Sequence, residues 1–533
     1  MQKNSQTESG RFNPRIAAAV VLCLIGTSLG MLSFAQSTQS SSQAPVAGVA
    51  SAGLTVIPSE FNGDVRNLTQ AITDADRQNF LLRPEFEGPK IGMKQMLPGA
   101  RAEVPSPDVS AISAPMPNPI MSFSGMDYNT WGAGHPPDTV GDVGPNHFVQ
   151  AVNTSIGIYS KATGAALANF TFSSLWNGAA TGTSCDMPSG VQGGDPTVIY
   201  DPQHDRFIVA DFSWVDFNNG PFYECVAVSK TSDPVNGGWW LYGIRADDTA
   251  HPWFPDYPKM GIWPDGLYMT ANMFDSSSNF RESRVYAFNI NDLVNGATVR
   301  SVIVDNANEY SMLPSNYRGT VPPAGTPNYV VAESSTSLYA WRVYAFQPNY
   351  SNPASSTFLG PINVSQASYI VAANTVIEPS PGNATDTLAD RAMMQNQYRN
   401  INGVESLWVN HTTGPAGISG SGLPTGIQWA QIDVTGGNIN TTPVQEQIFN
   451  NGLDGMNRFM GSLAVDHVGN MALGYTASSS TVAPDIRYVG RLATDPLNTL
   501  PQTEVQCCRQ LLAAYKPATA AHRPAPVGAI TAR

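Results

Sequence analysis

Two kinds of phrase recur along the chain. One is a polar turn followed by a short apolar strand. It occurs as residues 142–146 then His147-Phe148-Val149, 201–205 then Arg206-Phe207-Ile208-Val209, and 263–266 then Leu267-Tyr268-Met269. It recurs as 327–328 then Tyr329-Val330-Val331, and as 466–470 then Met471-Ala472-Leu473. The aromatic or Met anchors fall at 148, 207, 268, 329 and 471, giving intervals of 59, 61, 61 and 142. The last gap is two periods and a loop, with Arg391-Ala392-Met393-Met394 as its missing member. The second phrase is Arg284-Val285-Tyr286-Ala287-Phe288, which returns intact as Arg342-Val343-Tyr344-Ala345-Phe346, 58 residues later. Between them Asp233-Pro234-Val235-Asn236-Gly237 returns as Asp292-Leu293-Val294-Asn295-Gly296. Fixed-period repetition takes precedence over other fold readings.

Strands of five to six residues with turns between them fit four times into about sixty residues. A four-stranded sheet repeated radially is a β-propeller. An array of β-sandwiches is the alternative, but its members share topology rather than whole words. The pattern therefore predicts an all-β chain: a β-propeller of about six visible four-stranded blades.

The ends read differently. Lys3, Arg11 and Arg15 precede an apolar run over 16–34 that closes on Ser33-Phe34-Ala35. A cationic start, an apolar middle and small residues at −3 and −1 predict a secretory signal over 1–35. A membrane anchor is the alternative reading, weakened by Gly26, Thr27, Ser28 and Gly30 within the run. Residues 36–55 are Ser/Gln-rich and predict a disordered leader, 56–130 an extended prefix packing on the main domain, and 131–504 the propeller. Residues 505–533 carry Cys507, Cys508 and a basic Ala/Pro-rich composition with no counterpart upstream. That tail reads as a natural basic extension or as a shifted frame replacing a last blade.

Composition narrows the function. With 42% apolar and 13% charged residues, 47 Gly and 41 Pro, the chain is globular and turn-rich. A net charge of −13 excludes nucleic acid as a partner, since nothing offsets phosphate repulsion. No segment after the signal is apolar enough to span a membrane. Location is therefore extracellular or cell-surface, with the periplasm also open, and the chain is expected to act as a monomer on an extracellular carbohydrate or protein surface. Export implies oxidising surroundings, and of five cysteines only Cys185 and Cys225 lie in the main domain. A disulfide closing that loop adds about 3–4 kcal/mol by the chain-entropy estimate.

Common catalytic signatures fail. No His-Glu zinc-protease pattern and no Gly-Lys phosphate loop occurs, and the one Gly-x-Ser-x-Gly, at 26–30, lies inside the signal. Asp138, Asp195 and Asp256 open successive repeats, 57 and 61 residues apart. If each starts an innermost strand, all three converge on one channel end. Clustered carboxylates repel, and a hard cation, an Arg or a raised pKa relieves this. The set thus predicts a metal site, with Ca²⁺ as the cofactor, or else three Asp caps on their own turns. Asp142, Asp201, Asp265 and Asp466 sit at hairpin tips and read as structural. Arg391, Arg458 and Arg487, with Glu405 and Tyr475, are the candidates for an anion-binding or acid/base pocket, because Arg forks clamp carboxylates. Trp239-Trp240 is the candidate ligand-binding pair, since neighbours on a strand cannot both face one core.

Several longer motifs add a resemblance. Pro136-Pro137-Asp138-Thr139-Val140-Gly141-Asp142-Val143-Gly144-Pro145-Asn146-His147-Phe148-Val149-Gln150-Ala151-Val152-Asn153 is one. Asp256-Tyr257-Pro258-Lys259 with Trp263-Pro264-Asp265-Gly266, and Arg458-Phe459-Met460-Gly461-Ser462, are others. From about Phe61 to Glu504 the chain resembles a family of secreted bacterial β-propeller-like proteins of sialidase-like shape. The resemblance implies that fold and carries over no catalytic residues. Members continue past the equivalent of Glu504 with Arg-Trp-Gly-Asp-Tyr-Ser and a Trp-Tyr-Thr strand, neither of which occurs here, so the resemblance implies seven blades in the intact family and a missing last blade in this chain. The leading expectation is a non-enzymatic secreted propeller binding a polysaccharide or protein, with Ca²⁺ stabilising it. A sialidase-like glycoside hydrolase and a truncated non-functional member are the alternatives.

Overall fold

In units 2 and 5, the sheets that hold Arg206–Trp214 and Val404–Thr413, the apolar residues alternate along the strands toward two different cores, because both faces of these sheets are covered. In the strand Arg206–Trp214, Phe207 and Val209 pack toward the preceding sheet, while Ile208 and Ala210 pack toward the following one. The same holds for Cys225 and Ala227 against Val226 and Val228. This explains the near-continuous apolar strands.

A computed structural model describes residues 44–69, 71–72, 86, 88, 94–97, 116–132, 137–187, 191–334, 336, 338–379, 384–414, 424–450 and 454–507. The signal reading over 1–35 lies outside these residues, as does all but the start of the tail. The described chain is all-β, with a propeller-like succession of antiparallel four-stranded units. Their innermost strands are Val140–Val143, Thr197–Asp201, Phe254–Trp263, Leu313–Tyr317, Ala392–Ile401 and Asn457–Val465. Each lies beside the next, and those of units 4 and 5 pair in parallel at Ser315↔Asn396 through Tyr317↔Tyr398.

The repeated words occupy equivalent places. Phe148, Phe207, Tyr268, Tyr329 and Met471 all lie in second strands, and the two Arg-Val-Tyr-Ala-Phe copies lie in third strands. The fifth unit corrects one assignment. Residues 392–394 belong to its inner strand, and its turn-and-strand phrase is Asn402-Gly403 leading into Val404–Thr413. That turn exits into Val404-Glu405, without the aromatic or Met anchor of the other units.

The leader is ordered earlier than its composition suggests. Ala50–Ala52 pairs with Val302–Val304 on the outer edge of unit 3, and Ser59–Phe61 pairs with Trp239–Leu241 on the outer edge of unit 2. Just upstream, Ala47 N donates to Phe358 O (2.8 Å) and Gly360 N to Pro45 O (2.8 Å) on unit 4. Residues 45–61 thus run as a belt along three exposed sheet edges, satisfying backbone groups that would otherwise invite pairing with another chain. At the other terminus, Val505–Gln506 forms the fourth strand of unit 6 against Arg487 and Tyr488.

Cys185 and Cys225 are joined, with Cα atoms 5.6 Å apart, tying a loop to the third strand of unit 2. Replacing both by Ser is expected to lower the unfolding free energy by about 4 kcal/mol. Urea denaturation measures this; an unchanged midpoint would show that the bond constrains nothing.

Candidate functional site

At one end of the inner strands the backbone repeats an unusual conformation. Asp138 (φ 47°), Asp195 (φ 49°), Tyr257 (φ 55°), Ser311 (φ 51°) and Met460 (φ 52°) are all left-handed. In units 1 to 4 this residue stands two positions before a paired residue, at Val140, Thr197, Lys259 and Leu313. Left-handed L-residues are strained and need support. The preceding unit gives it: Asp195 N donates to Asn153 Oδ1 (3.1 Å), Ser311 N to Asn272 Oδ1 (2.8 Å), and Met460 N to Thr412 Oγ1 (3.0 Å). Tyr257 N donates to Asp195 Oδ2 (3.2 Å). Asp256 therefore stands one residue ahead of the true equivalent of Asp138 and Asp195, which is Tyr257.

The three aspartates nevertheless converge. Asp195, Asp138 and Asp256 all act on Lys259, favouring its charged form, while burial, the larger influence, presses its ammonium down to about 8. Lys259 Nζ donates to Pro258 O (2.9 Å) and lies 3.5 Å from the centre of the Tyr257 ring. Across the site Arg391 forks onto Asp390 (2.7 and 3.1 Å) and stacks on Tyr257 and Tyr310, 4.6 and 5.1 Å from the ring centres. A Ca²⁺ ion takes six to eight oxygen ligands; here the three carboxylates stand near the Lys259 ammonium, whose charged form they favour. Among the described residues, no three His, Cys, Asp or Glu side chains stand together as a metal-binding group.

Beneath the site lie two further acids. Glu224 and Asp211 are fully buried, and among the described residues none of their four carboxyl oxygens has a hydrogen-bond partner. Burial pushes Glu224 up to about 8; Asp195 adds to the rise and Lys259 opposes it. Burial and then Glu224 hold Asp211 well above the usual carboxylate range. Glu224 stays largely protonated at neutral pH.

Three of the arginine-set candidates meet elsewhere. Arg458 Nε (2.8 Å), Arg487 (2.7 Å) and Tyr475 Oη all donate to Glu504, a residue singled out in the sequence only as the end of the resemblance. Asp454 pairs with Arg458 and Asp485 with Arg487. Burial would raise Glu504, but these donors hold it below its ordinary range. Arg391 instead lies at the channel end, and Glu405 sits buried beside the 402–403 turn, its N–H donating to Thr435 Oγ1 (3.0 Å). The anticipated five-residue pocket does not form.

The tryptophan pair is explained by the two-cored sheet. Trp239 faces the core between units 1 and 2 and donates to Pro234 O (3.1 Å). Trp240 faces the other way, against Gly296, where a Cβ would collide with the indole, and beneath Lys230 Nζ at 3.9 Å. Of the hairpin-tip acids, Asp201 accepts from Gln203 N (2.9 Å), Asp466 from Val468 N and Asn470 N (both 2.9 Å), and Asp265 from Tyr268 Oη. Asp142 does more. It accepts from Tyr200 N (2.8 Å) and pairs with Arg318 from unit 4, tying units across the opposite end of the inner strands. Lys259 and Glu224 were missed because neither repeats between units. A lysine within an acidic motif, in a chain holding only seven, was the available signal.

No family model and no curated protein matches the chain. Among solved structures it is similar to the Hadza microbial sialidase Hz136, at 12% identity and TM-score 0.33, over 68% of this chain and 64% of that one. A Trypanosoma rangeli sialidase in complex with 2,3-difluorosialic acid matches at 10% and 0.33, over 68% and 54%. A GH43 endo-arabinanase from Bacillus licheniformis matches at 10% and 0.27, over 67% and 94%. The chain thus spans less than two thirds of either sialidase.

Two outcomes follow from the buried acids. Because the folded Glu224 carboxyl titrates near pH 8 against an ordinary 4.5, its contribution to stability is complete below pH 4.5 and is lost as pH rises toward 8. The thermal midpoint is expected to fall across that window and to fall less steeply in Glu224→Gln; identical slopes would contradict this. Glu504→Ala leaves Arg458, itself fully buried, short of a partner and is expected to cost about 3–5 kcal/mol. Hydrogen exchange of residues 457–491 should register that loss first.

Proposed function

We propose that this chain is an exported binding protein of the propeller type whose ligand is a carbohydrate held at the Lys259 end of the inner strands. One observation carries the reading: three aspartates from successive units gather on a single lysine beside Tyr257, Tyr310 and Arg391. That combination gathers hydrogen-bond acceptors and donors together, which is what sugar hydroxyls require. The Cys185–Cys225 bond is compatible with an oxidising location outside the cytoplasm. The motif resemblance to secreted bacterial propeller-like proteins points the same way.

A second reading, a glycoside hydrolase, is favoured by one specific pairing. Glu224, held protonated, is coupled to Asp195, and glycosidases set a raised-pKa acid against a carboxylate. The Glu504 cluster does not support it, because its carboxylate is already committed to two arginines.

Calorimetric titration of the full chain against neutral and acidic oligosaccharides tests both. Asp195→Asn and Lys259→Met are expected to weaken binding by about tenfold or more, equivalent to about 1.4 kcal/mol. Glu504→Gln, remote from the site, should leave affinity unchanged. Release of reducing ends by the wild-type chain, abolished in Glu224→Gln, would replace the binding reading with the hydrolytic one. Folded protein that binds no saccharide would sink both.

A further inference from the structure

Counting from the regular pairs Val140↔Ala151, Lys259↔Thr270, Leu313↔Val331 and Gln397↔Trp408, the residue two positions further along the second strand has a repeated job. In units 1, 3 and 5 it is Asn153, Asn272 and Asn410, and two of these hold the next unit's backbone. Unit 4 has Glu333 there, fully buried. A neutral amide position bearing a carboxylate demands a cation. The cation comes from more than two hundred residues upstream. Lys94, its side chain wholly buried, pairs with Glu333 Oε1 and donates to Ser334 O (2.9 Å) and Tyr369 Oη (2.6 Å). Tyr369 Oη in turn donates to Glu333 Oε1.

Three acceptors exhaust the three N–H groups of an ammonium. The surroundings nevertheless hold more: Glu333 Oε2 and Gln366 Oε1 are buried with no hydrogen-bond partner, and so is Nδ1 of His411, whose ring lies 5.0 Å from that of Tyr369. Burial presses the His411 imidazole down to about 3, so it stays neutral and adds no competing charge. Lys94 is held on the backbone by one bridge, Gln95 to Leu338, with Tyr339 N donating to Gln95 O (2.9 Å). The place is thus built by units 4 and 5 and filled by a side chain from far upstream in the chain. Nearby, Phe86 stacks on Phe274 at 4.5 Å, and Gly88 lies so close to Tyr310 and Asp390 that a Cβ would collide with both.

We propose that Glu333, Ser334 and Tyr369 form a binding site for a primary alkylammonium group, occupied here by the chain's own Lys94. The site's ligand class is a terminal –CH₂–NH₃⁺, whether on a free amine or on a lysine side chain. This stands independently of the carbohydrate reading.

Chemical rescue tests it in the full chain. Lys94→Ala is expected to melt lower than wild type, and n-butylammonium is expected to raise its midpoint in a concentration-dependent manner by about 4 °C or more while leaving wild type unmoved. Tetramethylammonium, which has no N–H to donate, should do nothing. Nα-acetyl-lysine methylamide in place of butylammonium separates the two sources: rescue by it shows that a peptide-borne lysine enters, and rescue by butylammonium alone restricts the site to free amines. If Lys94→Ala does not fold unaided, its refolding yield with and without butylammonium gives the same reading. A Lys94→Ala midpoint equal to wild type, no primary-amine effect on midpoint or yield, or equal rescue by tetramethylammonium would overturn the proposal.

Discussion

A hydrogen bond that leaves one unit and ends on the backbone of the next governs the channel end. An L-residue with φ near +50° costs of the order of 1–3 kcal/mol and persists only where its surroundings insist on it. Here the insistence comes from outside the unit: Asn153 holds Asp195, Asp195 holds Tyr257, Asn272 holds Ser311 and Thr412 holds Met460. Each bond fixes both the start of an inner strand and the distance to its neighbour. The kink also decides which side chain turns inward, so the gathering of acids on Lys259 follows from a backbone device rather than from the acids' own attraction, which is repulsive.

Buried charge is handled in three ways, and the difference separates structure from site. Asp142 with Arg318, and Glu504 with Arg458 and Arg487, are paired to saturation and serve to join segments. Lys259 feels three carboxylates at once, and Arg391 forks onto Asp390 while lying over two tyrosine rings. Among the described residues the carboxyl groups of Glu224 and Asp211 have no hydrogen-bond partner, and burial answers by keeping their protons on. Saturated pairs rigidify; unsaturated ones are where a ligand gains most.

The six-fold repetition was legible because turn chemistry and strand anchors recur in the same words, and words follow local backbone needs. The same locality explains the failures. Asp256 looked equivalent to Asp138 and Asp195 because the three stand 57 and 61 residues apart, yet the left-handed position in that unit is Tyr257. Trp239-Trp240 looked like a pair with one member spare, because a sheet with two buried faces gives no periodic sign of its second core. Glu504, Lys94 and Glu224 act across long sequence separations and occur once each. Nothing in their neighbours announces the partner.

The contrast between the two arginine-rich places is chemical as well as geometric. A tyrosine becomes a nucleophile only if a nearby base accepts its proton. Tyr475 has an acid in contact, but Glu504 is held below its ordinary range by two guanidinium groups, and such a carboxylate is a reluctant base. Burial, joined by the charge of Glu504, drives the Tyr475 hydroxyl well above its usual range, so the proton stays where it is. Both arginines that could clamp a substrate carboxylate already hold Glu504, and Arg458 is wholly buried. Any ligand acid would have to displace an internal one that is tethered at the start of the closing strand. The cluster is therefore a lock on the sixth unit.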